Sequence, residues 1–318
     1  MSTVFASRPV RATIALGLLA YLLWLSSPSE VGRALAGARL WPVALAVGLT
    51  FFDRALMAYR WLALLGPLPP GTRPPLLTVM RIFFVSTFVG TFLPASVGGD
   101  AVRAYALSGH RVPLSLSVAS VVMDRALGTA AILTLGLGAM LLAPSLEIPG
   151  LVPVFVAGAL LSVALAVLVF SARAADLLTR AAGRLPFPRL AGLFNRLLGA
   201  VREYRYHHRA LGTVLAASIG VQVLRVLQAY CLGIALGVTA PLWSYFLAIP
   251  LVLLVMLLPI TINGLGTSQA AFLWCFGALG VGRADAFALS VLFVALGVVG
   301  NLPGGLLYAT GGLPRHAS

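Results

Sequence analysis

A set of ionisable side chains lies inside stretches that are otherwise apolar: Asp53, Arg54, Arg60, Arg81, Asp100, Arg103, Asp124, Arg125 and Arg225. A charge at the centre of a bilayer costs about 2.5–3.5 kcal/mol on insertion scales, so such residues need a partner, a wet cavity or a ligand. Asp100 and Arg103 are three apart and share a face if a helix begins near Gly99, where they can pair or hold a headgroup together. Asp53-Arg54 and Asp124-Arg125 are adjacent pairs whose side chains leave a helix roughly 100° apart, so each is expected to find its partner on another helix. A cross-pair such as Asp53 with Arg125 would be structural glue or part of a binding site. Arg225 is flanked by Gln222 and Gln228, which makes a polar stripe on its helix. Arg60 and Arg81 lie nearer predicted helix ends and are expected to snorkel towards headgroups.

The planar guanidinium fork suits a phosphate, so Arg103, Arg125 and Arg225, with Asp100 beside them, are the candidates for holding a phosphate group. Gly98, Gly99, Gly264 and Gly266 permit close backbone approach, and a helix starting after them offers free N–H groups to an anion. The plainer alternative is that these glycines only allow tight helix packing. Asn263 and Gln269 add neutral polar groups beside the second glycine pair. No catalytic residue, metal site or cofactor is expected. Cys231 and Cys275 fall in apolar runs without a CxxC or Cys/His neighbour, and Gly264-x-Gly266 lacks the strand and spacing of a dinucleotide fingerprint. The sequence contains no lysine, so the P-loop signature for ATP hydrolysis is missing.

The elements that must position these groups follow from composition. Of 318 residues, 60% are hydrophobic and 9% charged, whereas soluble domains carry about 25% charge. Apolar segments at roughly 10–27, 41–65, 76–93, 114–142, 150–171, 211–236, 242–259, 264–280 and 286–312 are separated by Pro- and Gly-rich breaks, and several reach the roughly 20 residues that span hydrocarbon. The fold class is therefore all-α, a polytopic membrane helix bundle forming a single domain over 1–318, with halves of about 1–145 and 150–318. Arg8 and Arg11 precede an apolar run, and Ala34-Leu35-Ala36 is a faint signal-peptidase site too far beyond it, so an uncleaved first helix is expected.

The formal net charge is +14. In a soluble chain that would suggest nucleic acid; here the excess sits largely in loops, as membrane orientation requires, and no nucleic-acid partner is expected. The longest polar stretch, Ser171 to Arg209, carries eight arginines and is expected in the cytoplasm of a cell (inner) membrane protein. Within this 172–209 loop, Leu190, Leu193, Phe194, Leu197, Leu198 and Val201 recur at helical spacing against Asn195, Arg196, Arg202 and Glu203. That pattern reads as an interfacial amphipathic helix.

The chain echoes itself. Leu93-Pro94-Ala95-Ser96-Val97-Gly98-Gly99 resembles Leu258-Pro259-Ile260-Thr261-Ile262-Asn263-Gly264, about half the chain later. Both break an apolar helix at proline, Pro94 or Pro259, pass through small polar residues and resume. Broken helices survive in hydrocarbon only where freed backbone groups face protein or a cavity, and paired breaks in corresponding halves point to a transporter's central site. Loop arginines are compatible with full crossings and with re-entrant hairpins. The hairpin reading is adopted, since hairpins entering from opposite faces make an inverted repeat, with both termini cytoplasmic.

The run Phe92 to Arg103, the Asp124-Arg125 pair and the stretch Pro259 to Gln269 together resemble the lysylphosphatidylglycerol synthase transmembrane region family, also called the flippase-like domain family. The similarity extends over nearly the whole chain. In two-part aminoacyl-phospholipid synthases this resemblance implies a membrane portion that moves the modified lipid across the bilayer. No segment here reads as the soluble transferase, so a flippase-like domain standing alone is expected. The family's second motif commonly ends in Arg-Glu after the glycines, whereas this chain has Thr267-Ser268-Gln269, which leaves that glutamate's role without a bearer.

The leading expectation is thus a non-enzymatic transporter for an anionic or modified phospholipid or lipid-linked headgroup, with membrane lipids as partners. A second is an accessory protein of a separate lipid-modifying enzyme. A third, a membrane-embedded glycosyl- or lipid-transferase, would need positioned carboxylates or a metal site near the interface, and the loop carboxylates of the expected outer face or its margins, Glu30, Glu147 and Asp285, have no acidic or histidine neighbours.

Overall fold

The computed structural model describes residues 20–66, 68, 73–91, 97–110, 112–142, 151–183, 188–257 and 264–311. Pro94, Pro259 and Asn263 lie outside them. The described residues form helices and no strand: α1 (Pro28–Ala36), α2 (Leu40–Leu64), α3 (Leu76–Thr91), α4 (Val97–Ser108), α5 (Leu114–Leu142), α6 (Leu151–Phe170), α7 (Ala172–Gly183), α8 (Pro188–Glu203), α9 (His208–Leu236), α10 (Leu242–Leu257), α11 (Thr267–Ala278) and α12 (Arg283–Gly311). Five of them, α2, α5, α6, α9 and α12, are long and apolar enough to cross a membrane.

Helix lengths divide the chain into two similar halves. In the first, α2 to α5 have 25, 16, 12 and 29 residues; in the second, α9 to α12 have 29, 16, 12 and 29. At 1.5 Å per residue the short helices reach only about 24 and 18 Å, less than the roughly 30 Å of hydrocarbon, so neither member of a short pair crosses alone. Each short pair folds back as a hairpin.

The two hairpins open at opposite ends of the bundle. The start of α3 (Val79, Ile82, Phe83) and the end of α4 (Ala106, Leu107) share one apolar cluster with Trp61 and Leu65 at the end of α2. The start of α10 (Leu242) and the residues after α11 (Leu279, Val281) instead share a cluster with Ala46 near the start of α2 and Phe155 near the start of α6. The inverted arrangement expected from the echo is therefore present in the packing.

Backbone contact at the first hairpin tip explains its glycines. A Cβ on Gly90 would lie 2.8 Å from the Gly99 Cα, and one on Gly99 would lie 2.9 Å from the Ser86 carbonyl oxygen. Gly264 and Gly266 at the second tip adopt positive φ of 74° and 86°, which L side chains rarely adopt. On α12, Pro303 is followed by Gly304, whose added Cβ would collide with the Phe84 carbonyl oxygen, so α12 crosses α3 with almost no spacer.

The arginine-rich stretch contains two amphipathic helices, α7 and α8, where the sequence pattern suggested one. The helix over 97–108 was likewise not evident as a separate apolar segment, because Asp100, Arg103 and its glycines dilute its hydropathy. Leu198, Ala200 and Val201 of α8 are buried against Leu64, Ala119, Val169 and Val214, where α2 and α6 end and α5 and α9 begin. Tyr204 closes the junction by donating its hydroxyl to the Leu64 carbonyl at 2.7 Å. Burial, reinforced by the Asp124 charge, pushes its phenol above the usual range. Cys231 and Cys275 are both buried, as small core residues.

Candidate functional site: a charged cavity between the hairpin tips

The tips of both hairpins and the middles of α2, α5, α9 and α12 enclose a cavity of about 280 Å³. Thr87, Gly90, Thr91, Gly99, Asp100 and Arg103 come from the first hairpin; Leu253, Met256, Leu257 and Gly264 come from the second. The long helices contribute the rest, among them Asp53, Arg54 and Arg60 of α2, Asp124 and Arg125 of α5, Gln222, Arg225 and Gln228 of α9, and Asn301 of α12. Four charged stretches far apart in the chain, 53–60, 100–103, 124–125 and Arg225, thus converge because each intramembrane charge must turn away from lipid.

The charges form two linked groups. Asp124 receives Arg60 at 2.7 Å and Arg103 at 3.2 Å. Asp100 receives Arg125 at 2.6 Å and Arg103 at 3.7 Å, so Arg103 joins the two carboxylates. Separately, Asp53 pairs with Arg54 at 3.1 Å and with Arg225 at 3.6 Å. Arg103 is further clamped between aromatic faces, its guanidinium carbon 5.3 Å from the Trp61 ring centre and 4.8 Å from that of Phe83.

Three expectations are corrected by these contacts. Arg60 does not snorkel: it is 5% exposed, faces inward and also donates to the Ser218 hydroxyl at 3.1 Å. Asp53 and Arg54 do meet although adjacent, because the long arginine stem curls back where a shorter side chain could not. The cross-helix partner of Asp53 is Arg225 rather than Arg125, which belongs to Asp100. Arg81 is half-buried on α3, outside the cavity lining.

The candidate binding residues are only partly gathered here. Arg103, Asp100, Arg125, Arg225, Gly99 and Gly264 line the cavity; Gly98, Gly266 and Gln269 are not among its lining residues. Gln269 is buried, and its side-chain oxygen accepts the Gly266 N–H at 2.6 Å, while the Ser268 hydroxyl bonds back to the Gly264 carbonyl at 2.7 Å. The neutral triad thus caps its own helix. Sequence reasoning left Arg54 out of the phosphate-binding candidates, although it marked Asp53-Arg54 as a pair that could be structural or part of a site. It also missed Asn301, which donates to Thr91 at 2.8 Å and ties α12 to the first hairpin tip.

Five arginines face three aspartates in this cavity, leaving two positive charges in excess. Gln222 Oε1 and Gln228 Nε2 are buried without a hydrogen-bond partner among the described residues. A site of this composition can grip an oxyanion by charge-assisted bonds and fix its polar substituents through the amides. Among the described residues no group of three His, Cys, Asp or Glu side chains could hold a metal ion.

The family model described as the lysylphosphatidylglycerol synthase TM region matches residues 10–304. The chain belongs to this family. The match takes in both hairpins, every charged cavity residue and the amphipathic α7 and α8. No curated protein and no solved structure matches the chain. For a member of the lysylphosphatidylglycerol synthase TM region family, a lipid-related role in a multi-pass membrane protein follows, and the cavity is where its polar chemistry is concentrated.

Proposed function

We propose that this protein carries an anionic phospholipid headgroup across the bilayer, holding the phosphate in the cavity between the hairpin tips. The observation that carries the reading is the surplus of arginine over aspartate in a membrane-embedded cavity. A neutral or cationic headgroup would leave both excess charges uncompensated, whereas the single negative charge of a phosphodiester offsets one of them and accepts the arginines' hydrogen bonds. Hairpins entering from opposite ends and meeting at one site are the arrangement that lets access alternate between the two faces. Each cavity carboxylate is already engaged by arginine, which favours carriage over acid–base catalysis.

Orientation follows from charge. Arg33, Arg39 and Arg283 lie near the end where the second hairpin opens, and the arginines of α7 and α8 lie at the other, so the positive-inside rule assigns the α7–α8 end to the cytoplasm. A separate lipid-modifying enzyme would supply the cargo. The test is reconstitution of the purified chain into vesicles holding fluorescent phosphatidylglycerol, with an impermeant reductant added outside. Quenching of the inner-leaflet fluorescence supports the reading; quenching confined to the outer leaflet, as in protein-free vesicles, overturns it.

A further inference from the structure

A second hollow, of about 500 Å³, lies beside the first hairpin, where α4, α5 and α6 meet. Its walls are small and apolar. Ala101 and Ala104 are one turn apart on α4, Val118, Val122 and Ala126 form a row along α5, and Leu161 of α6 is largely exposed at its margin. The only ionisable groups among its lining residues are Asp100 and Arg125, and both of these, with Thr129, also line the central cavity. The 2.6 Å Asp100–Arg125 ion pair therefore stands between an apolar groove and a cationic chamber.

The two members of this pair are not equally buried. The Arg125 side chain is 42% exposed against 6% for Arg103, so it is the most accessible cation of the network. Asp100 has Arg103 as a second partner at 3.7 Å. Arg125 can therefore leave Asp100 for another anion without stranding a carboxylate, and a phosphate offers its fork two oxygens.

We propose that the α4–α5–α6 groove is a lateral entry site for an anionic phospholipid, in which an acyl chain lies against the alanine and valine walls while the phosphate draws Arg125 away from Asp100. The proposal rests on the transport reading for its purpose, and adds to it the route, the gate and the acyl chain as a recognised part of the cargo. The occupant is set by the two kinds of wall: an apolar chain alone would have no use for Arg125, and a free phosphate none for the groove. The alanines matter because they leave the width that a chain needs.

The test uses the full chain in phosphatidylcholine vesicles with phosphatidylglycerol bearing a photoreactive diazirine on one acyl chain, and, separately, diacylglycerol bearing the same label. Adducts are expected on 118–126 of α5 and on Leu161. Labelling is expected to be about tenfold weaker with diacylglycerol, a difference worth about 1.4 kcal/mol. Ala104→Trp is expected to remove the adducts. Ala104 is buried, so Ala101→Phe, at an exposed position on the groove's rim, provides a second variant that does not ask the interior to repack. Undiminished labelling in either folded variant, equal labelling by diacylglycerol, or adducts concentrated on other helices would overturn the entry site. Leaflet exchange measured on the same vesicles separates the two ideas. Exchange without groove labelling defeats the entry site alone; groove labelling without exchange defeats the transport reading and leaves the lipid site standing.

Discussion

Arg60 of α2 and Asp124 of α5 meet at 2.7 Å, and Arg60 reaches on to Ser218 of α9, so one buried arginine fastens three long helices beneath the cavity. Asp124 in turn holds Arg103 of the first hairpin. This carboxylate is a structural hub. Replacing Asp124 with Ala leaves two arginines without it and is expected to destabilise the folded protein by about 3–5 kcal/mol. Unfolding in detergent, followed by helicity against denaturant, checks the value; a loss below about 1 kcal/mol would show that the pair is not what holds these helices, since breaking a buried pair costs more.

Arg103 is set between the same two functions. Its removal leaves Asp124 with Arg60 and Asp100 with Arg125, so no carboxylate is orphaned. Arg103→Ala is therefore expected to cost about 1–3 kcal/mol, from the lost charged hydrogen bonds and the aromatic clamp. Combining it with Asp100→Asn should not recover that loss, because Asn cannot replace the pairing of Arg125. A double variant more stable than the single one would mean that Asp100 depends on Arg103 alone.

The hairpin tip predicts a sharp contrast between glycines. Gly99→Ala drives a Cβ to 2.9 Å from a backbone oxygen, whereas the space around Gly138 and Gly277 is open. The first change is expected to destabilise by about 1–3 kcal/mol and to slow transport, because Asp100 follows immediately. The other two should be neutral or slightly stabilising in their helices. Thermal midpoints of the three variants decide, and equal midpoints would contradict the close tip.

Orientation can be read from single cysteines. With the buried Cys231 and Cys275 changed to alanine, Arg196→Cys on exposed α8 is expected to resist an impermeant maleimide in intact cells, while Arg283→Cys is expected to react. The reverse pattern would invert every assignment of face made above.

Much of this arrangement could be read before any coordinates, for a physical reason. The cost of a charge in hydrocarbon marks Asp53, Asp100, Asp124 and their arginines as inward-facing whatever the fold, and the repeated proline–glycine break marks two hairpins. Partner choice was not legible, because it depends on how each helix is rotated: Asp53 selects Arg225 and its own neighbour Arg54 only once α2 and α9 are in register. Gln269 illustrates a signal that was present but weighed wrongly. Its spacing from Gly266 is that of a helix cap, and the local bond to the Gly266 N–H wins over any distant ligand. Arg60 was misjudged because position along a helix says nothing about which face meets a neighbour.

The central claim is that the cavity arginines hold the lipid phosphate, and the most direct measurement is the rate of phosphatidylglycerol exchange between leaflets by a triple variant, Arg54→Gln, Arg225→Gln and Asp53→Asn. These two arginines serve the Asp53 side of the cavity, and the Asp100 and Asp124 pairs are left intact. Asp53→Asn keeps a carboxylate from being stranded, and the three changes together remove one negative and two positive charges. Exchange at least about tenfold slower than in the unaltered protein, equivalent to about 1.4 kcal/mol, with the thermal midpoint preserved, is the predicted result. Exchange at the unaltered rate by a folded variant would contradict the account.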